Sequence, residues 1–308
     1  MHDNFSPTFV RKTAGLAGSA ILVFLCLTTL ALAQKESVIY NFKSGNDGAK
    51  PASSLIADSA GNLYGTTVSG GNSANCGKQN HKNLGCGTVF EVTPPGNGVT
   101  HWTENVLYVF EGGTTDGASP STPLAFDSAG NLYGTTMSGG VSGQGAIFQL
   151  RPPAQSGGAW SESILYNFPS GFPSSGLVLD PAGNFYGETD SGQLYELSPP
   201  TVSGGAWQFT VLWSWPNGGA VPEGGLVLDK GGDLYGTSAT GGTEGFAFKL
   251  VKPVTGNVWK AVVIYDFTGI NGDAAIPISG VVFHGGNNLY GTSAYGGNDL
   301  GEIGRAHV

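Results

Sequence analysis

Three acidic turns are the first candidates for chemistry in this chain: Asp47-Gly48-Ala49, Asp116-Gly117-Ala118 and Asp273-Ala274-Ala275. Carboxylates and backbone carbonyls gathered on loops suit Ca²⁺ or a hydroxyl-rich ligand, and rigid scaffolds commonly carry function on such loops. Asp47, Asp116 and Asp273 are therefore the predicted ligand-binding residues, although Asp-Gly is also an ordinary turn signal. No catalytic template accompanies them. The chain has no Gly-x-Ser-x-Gly elbow, no His-Glu-x-x-His and no phosphate-cradling Gly-x-x-x-x-Gly-Lys, so catalytic residues stay unassigned. Acids that cleave glycosides meet in space rather than in sequence. An extracellular carbohydrate-active hydrolase or lyase built on these acids is therefore the alternative to a non-catalytic protein that binds a glycan or another protein.

Cys76 and Cys86 share one loop rich in Gly and Asn. In an exported protein two neighbouring cysteines make a disulfide. A metal site with His81 would lack ligands at zinc spacing, so neither a metal nor another cofactor is assigned; Ca²⁺ at the acidic turns is the exception left open.

The elements that must position these residues follow from internal repetition. The segment Gly61-Asn62-Leu63-Tyr64-Gly65-Thr66-Thr67 returns at residues 130–136, 183–189, 232–238 and 287–293. Its tyrosines are Tyr64, Tyr133, Tyr186, Tyr235 and Tyr290, at the spacing of a propeller blade. Each repeat reads as four short strands separated by turn residues, and no part of the mature chain has helical periodicity. The first run of each, such as Gly176-Leu177-Val178-Leu179, is apolar at consecutive positions and predicts an innermost strand covered on both faces. The fold class is thus all-β and β-propeller-like, with at least five four-stranded blades and the last incomplete. Residues 37–42 look like the fourth strand of a repeat although they precede the first. They are expected to close the ring and remove open edges.

Within this scheme Asp58, Asp127, Asp180 and Asp229 fall four residues before the core Asn or Asp, where a short acid bonds to turn amides. The core tyrosines and Trp102, Trp160, Trp207 and Trp259 recur as packing residues more readily than as sugar platforms. The loops holding Asp47, Asp116 and Asp273 would emerge with the Gly-Gly loops on one face, around the channel mouth.

The motifs Asp-Gly-Ala-x-Pro, Asp-x-Ala-Gly-Asn-Leu-Tyr-Gly-Thr-Thr, Gly-Gly and Gly-Thr-Val-Phe-Glu resemble those of the GloVer tandem-repeat proteins, also described as choice-of-anchor proteins. The resemblance spans all five repeats. It implies export and, in many members, a C-terminal sorting segment; it implies no activity.

The ends read differently from the repeats. Residues 1–33 have the layout of a secretory signal peptide, with Arg11 and Lys12 before an apolar run that closes on Ala31-Leu32-Ala33. After cleavage no membrane span is expected, and the repeat domain covers residues 34–301. Residues 302–308 break the repeat and are expected to be a non-native tail on a fragment. Removing Arg11, Lys12, Arg305, Asp3 and Glu302 from the totals of 13 basic and 22 acidic residues leaves 10 and 20, a formal charge of −10. That balance argues against nucleic acid as a partner and fits an extracellular or cell-surface location.

Overall fold

In the computed structural model the described residues are 37–79, 82–96, 98–155, 157–216, 224–286, 288–296 and 302–307. Two bodies are distinguished, Met1–Val38 and Ile39–Val308. Of the first only Ser37 and Val38 are described, so the predicted signal segment lies outside the described residues, as does His81. The repeats all lie in the second body.

Runs of β-branched and aromatic residues between Gly, Asn and Asp turns form strands, as a pleated, half-buried surface favours. The first repeat orders Ile56–Ala57, Leu63–Ser69, Thr88–Thr93 and Thr103–Val109 into an antiparallel sheet. The second does the same with Ala125–Phe126, Leu132–Thr136, Ala146–Arg151 and Ser161–Asn167. The third uses Val178–Leu179, Phe185–Glu188, Gln193–Ser198 and Gln208–Ser214, and the fourth Val227–Leu228, Leu234–Ser238, Phe246–Val251 and Lys260–Asp266. In all four the ladder between third and fourth strands slips at one place, Val89/Phe90, Ile147/Phe148, Leu194/Tyr195 and Ala247/Phe248. A bulge of this kind adds twist and bends the outer strand. Among the described residues helix is confined to 3-10 turns, at Gly45–Asp47 and at Pro216, and no helix is long and apolar enough to cross a membrane.

The fifth repeat differs from the sequence expectation. Residues 302–307, read as a tail that breaks the repeat, form a strand antiparallel to Asn288–Ser293 in the place of a third strand. With Val282–His284 this makes a three-stranded sheet, so the last repeat lacks its fourth strand among the described residues.

The burial of the inner strands also needs correction. Leu132–Thr136 and Leu234–Ser238, which are second strands, are buried at every position, whereas the first strands are only half-buried. A second strand has a ladder on each side and a neighbouring repeat on each face. A first strand is two or three residues long and has one side open.

Repeats are joined by aromatic rings. Each of four core tyrosines meets a ring of the next repeat: Tyr64 with Phe126, Tyr133 with Phe185, Tyr186 with Trp259 and Tyr235 with Phe283. Towards the outer strands the pairs Phe110–Phe148, Phe168–Tyr195 and Trp215–Phe248 repeat a second contact. Tilted and edge-to-face rings at such separations add to the apolar burial they bring. Residues 37–42 are not in a strand, because no described strand lies beside them to complete a ladder. Even so, Phe42 packs on Phe90 of the first repeat with centroids 4.9 Å apart. That is the place Phe110 takes on the second repeat.

Candidate functional site

Where the five repeats converge, the segments leading into their first strands surround one cavity of about 490 Å³. The lining comes from Ser53 and Ser54, Ser121 and Thr122, Ser174 and Ser175, Gly224 and Gly225, and Ser279, with Leu177, Leu226 and Val281 behind them. A cavity shared by equivalent segments of all five repeats is the centre of a propeller-like arrangement. Its size is that of a small-ligand site. No titratable side chain lines it among the described residues.

The second strand of each repeat aims one side chain at this wall. It is the first residue after Tyr-Gly: Thr66, Thr135, Glu188, Thr237 and Thr292. The Thr66 hydroxyl pairs with Ser53 at 3.1 Å and that of Thr135 with Thr122 at 2.8 Å. Thr292 donates to the Ser279 hydroxyl at 2.7 Å. In the fourth repeat the wall residues are glycines, and Thr237 donates across to the Ser279 carbonyl at 2.8 Å. Four repeats thus satisfy the wall with a threonine. Glycine at 224 and 280 is required there, since a Cβ on either would overlap the backbone of the other segment.

Glu188 occupies this position in the third repeat. It is fully buried, and neither carboxyl oxygen meets hydrogen-bond geometry, although the Ser175 hydroxyl and the Gly225 amide stand close to it. Burial pushes its carboxyl up to about 8, against the pull of the neighbouring Ser175 hydroxyl and the Gly225 amide. Beside it Tyr195 stands where the other complete repeats have Phe90, Phe148 and Phe248. The Tyr195 hydroxyl is likewise buried without a partner, and burial and the Glu188 charge push its ionisation up. Sequence reading passed over both residues. The signal was available as two departures from the repeat at adjoining strands, but which position faces the axis was not.

The predicted acids sit elsewhere and are used locally. Asp116 is buried and accepts from the Tyr108 hydroxyl at 3.1 Å and from the Glu111 and Gly117 amides at 2.6 Å each. Asp273 accepts from Tyr265, from the amide and hydroxyl of Thr268, and from the Ala274 amide. Asp47 accepts from the Tyr40 hydroxyl at 2.6 Å. Each acid closes the turn that follows a Tyr-x-Phe segment and sets up the short pairings Ala49 with Ser69, Ala118 with Ser138 and Ala274 with Gly296. Burial raises the Asp116 carboxyl more than its amide bonds lower it; at Asp273 burial is outweighed by the Thr268 and Tyr265 bonds, and the carboxyl falls below its usual range. Two further acids lie beside them. Burial and then the charge of Asp47 push Glu104 up to about 7, and burial and then Asp116 push Glu162 to about 7. Among the described residues no group of three or more His, Cys, Asp or Glu is placed to hold a metal ion.

The repeat motifs find their physical reasons here. Asp58, Asp127, Asp180 and Asp229 each bond two turn amides and the hydroxyl of their own core tyrosine, as at Asp180 with Ala182, Asn184 and Tyr186. Tyr64, Tyr133, Tyr186 and Tyr235 are buried, and Tyr290 is half-buried. Cys76 and Cys86 are bridged. The disulfide packs on Gly112, where a Cβ would lie 2.7 and 2.8 Å from the two sulfurs. The Cys86 carbonyl accepts the Ser119 amide of the next repeat at 2.7 Å, and the Glu244 carbonyl accepts that of Ile276 in the same way.

No curated protein matches the chain. Among solved structures it is similar to a chain of a nidogen/laminin complex, at 15% identity over 73% of this chain and 76% of that one, TM-score 0.44. It is also similar to a putative 6-phosphogluconolactonase from Bacteroides fragilis, at 14% identity over 85% and 72%, TM-score 0.48. A polysaccharide lyase of family PL25, an ulvan lyase, matches at 13% identity over 84% and 69%, TM-score 0.40. The profile of the Gloeobacter/Verrucomicrobia repeat matches residues 27–245, and the chain belongs to that family.

Proposed function

We propose that this is an exported, non-catalytic binding protein that takes a hydroxyl-rich ligand, the end of a glycan, into its axial cavity. The observation that carries this reading is the lining itself: serine and threonine hydroxyls from four of the five repeats, glycine backbone from the remaining one, and, among the described residues, no titratable side chain. Such a surface offers many neutral donors and acceptors to a polyol and no group for acid–base chemistry at the ligand. The disulfide supports an oxidising, extracellular setting. Asp47, Asp116 and Asp273 contribute by holding the turns on which the repeats begin rather than by presenting free carboxylates.

The test is a glycan-array screen of the purified chain with and without a Ca²⁺ chelator, followed by product analysis on every hit. Retained glycans that are recovered intact, with binding unaffected by the chelator, support the reading. Cleaved products would replace it with the hydrolase or lyase alternative. Binding abolished by the chelator would return Ca²⁺ and the acidic turns to the site.

A further inference from the structure

The axial wall is built by one rule in four repeats and by another in the third. A threonine there bonds a wall hydroxyl or carbonyl and leaves nothing unsatisfied. Glu188 in its place buries a carboxyl with two unpartnered oxygens, next to a tyrosine hydroxyl that is also unpartnered. Leaving buried polar groups unpaired costs stability, and the sequence contains the cheaper solution four times over. Departures of this kind from an otherwise consistent pattern concentrate at functional sites.

We propose that Glu188 is the residue through which the axial cavity selects its ligand, a positioning group that hydrogen-bonds the Ser175 hydroxyl and turns it toward a neutral oxygen of a sugar. This rests on the cavity being the binding site. The geometry supports a relay: Ser175 lines the cavity, stands beside the Glu188 carboxyl, and spends its own proton on a long 3.3 Å bond to the Gly176 carbonyl. With a ligand present the Glu188 O–H donates to the Ser175 oxygen, and the Ser175 O–H leaves Gly176 for the ligand oxygen. The other wall pairs, Ser53 with Thr66 and Thr122 with Thr135, are already closed on themselves.

The relay needs the protonated acid. Burial keeps Glu188 in that form up to a pH of about 8. The segments of Ser174 to Val178 and Gly224 to Leu226 bring no titratable group to it, and the third strand brings Tyr195, whose ionisation is pushed upward.

The experiment is titration calorimetry of the full chain with cellotetraose and maltotetraose, comparing wild type with Glu188→Gln and Glu188→Thr. Glutamine keeps a neutral donor and should bind within about twofold of wild type, whereas threonine, which makes the wall uniform, should bind about tenfold more weakly, the worth of one hydrogen bond of roughly 1.4 kcal/mol. Wild-type affinity should fall as pH rises through about 8, and that of Glu188→Gln should not. A ligand-free check is the infrared band of a protonated carboxyl at neutral pH, present in wild type and absent from Glu188→Gln. Binding by wild type that is equal in Glu188→Thr, or insensitive to pH, overturns this inference and leaves the cavity reading standing. Binding of neither sugar by wild type overturns both.

Discussion

The axial ends of the second and third repeats share a backbone plan, and two of their side-chain differences fall at neighbouring positions of adjoining strands. Thr135 and Phe148 in the second become Glu188 and Tyr195 in the third. In the second repeat the Thr135 hydroxyl is paired with Thr122 and the Phe148 ring lies over Gly134, where an added Cβ would come within 2.6 Å of it. In the third the same strand positions carry a carboxyl and a phenol whose oxygens have no partner. The turn between first and second strands is the same in both, with Asp127 and Asp180 making equivalent bonds. A scaffold repeated for stability therefore tolerates one local exception at its axis, provided the packing that joins the repeats is untouched.

The largest test of that statement is of the shared packing. Tyr133→Ala and Tyr186→Ala should each cost about 3 to 5 kcal/mol in chemical denaturation, as large-to-small aromatic changes in cores do. A clearly smaller loss at Tyr186 would mean that the third repeat is loose throughout and not only at the axis.

Exchanging the axial residues should move stability in opposite directions. At pH 5 Thr135→Glu should destabilise and Glu188→Thr stabilise, each by about 1 to 3 kcal/mol, the usual penalty for a buried unsatisfied polar group. Equal signs for the two substitutions would erase the contrast between the repeats.

Acidity sharpens the same contrast. Glu188 has its folded value raised to about 8 from 4.5, so the folded state holds a proton that the unfolded state releases between those values. Its contribution is present in full below about 4.5 and is lost as pH rises toward 8. Glu104 and Glu162, raised to about 7, act in the same direction. Wild type should therefore lose stability relative to Glu188→Gln by up to about 1.4 kcal/mol per pH unit over that window, as read from melting curves at several pH values. Parallel curves would show that Glu188 is ionised throughout.

The smallest expected effect is at the turn that the second repeat has and the third lacks. Asp116→Asn should cost only about 1 kcal/mol, because burial of the carboxylate offsets most of what its bonds to two amides and a phenol return. A loss of several kcal/mol would make the acidic turn a principal support of its repeat.

Much of the architecture was legible because its causes are local. Asp-x-x-Gly turns, strands of β-branched and aromatic residues and two cysteines ten positions apart act through neighbours along the chain, and repetition made each signal visible several times. The acidic turns illustrate the limit. Their composition suggested ligands, yet each carboxylate is taken up by a tyrosine seven or eight residues earlier and by amides of its own turn.

The sequence by itself determined the family, the all-β class, the period and strand order of the repeats, and the pairing of Cys76 with Cys86. The tertiary structure alone decided that five separated Ser- and Gly-rich segments face one cavity, that residues 302–307 take a strand position, and that Glu188 stands at the axial wall. Those outcomes depend on how Tyr64, Tyr133, Tyr186 and Tyr235 seat against rings of the next repeat, 48 to 73 residues further along. The angle between repeats is set by that packing, and no pattern within a single repeat encodes it.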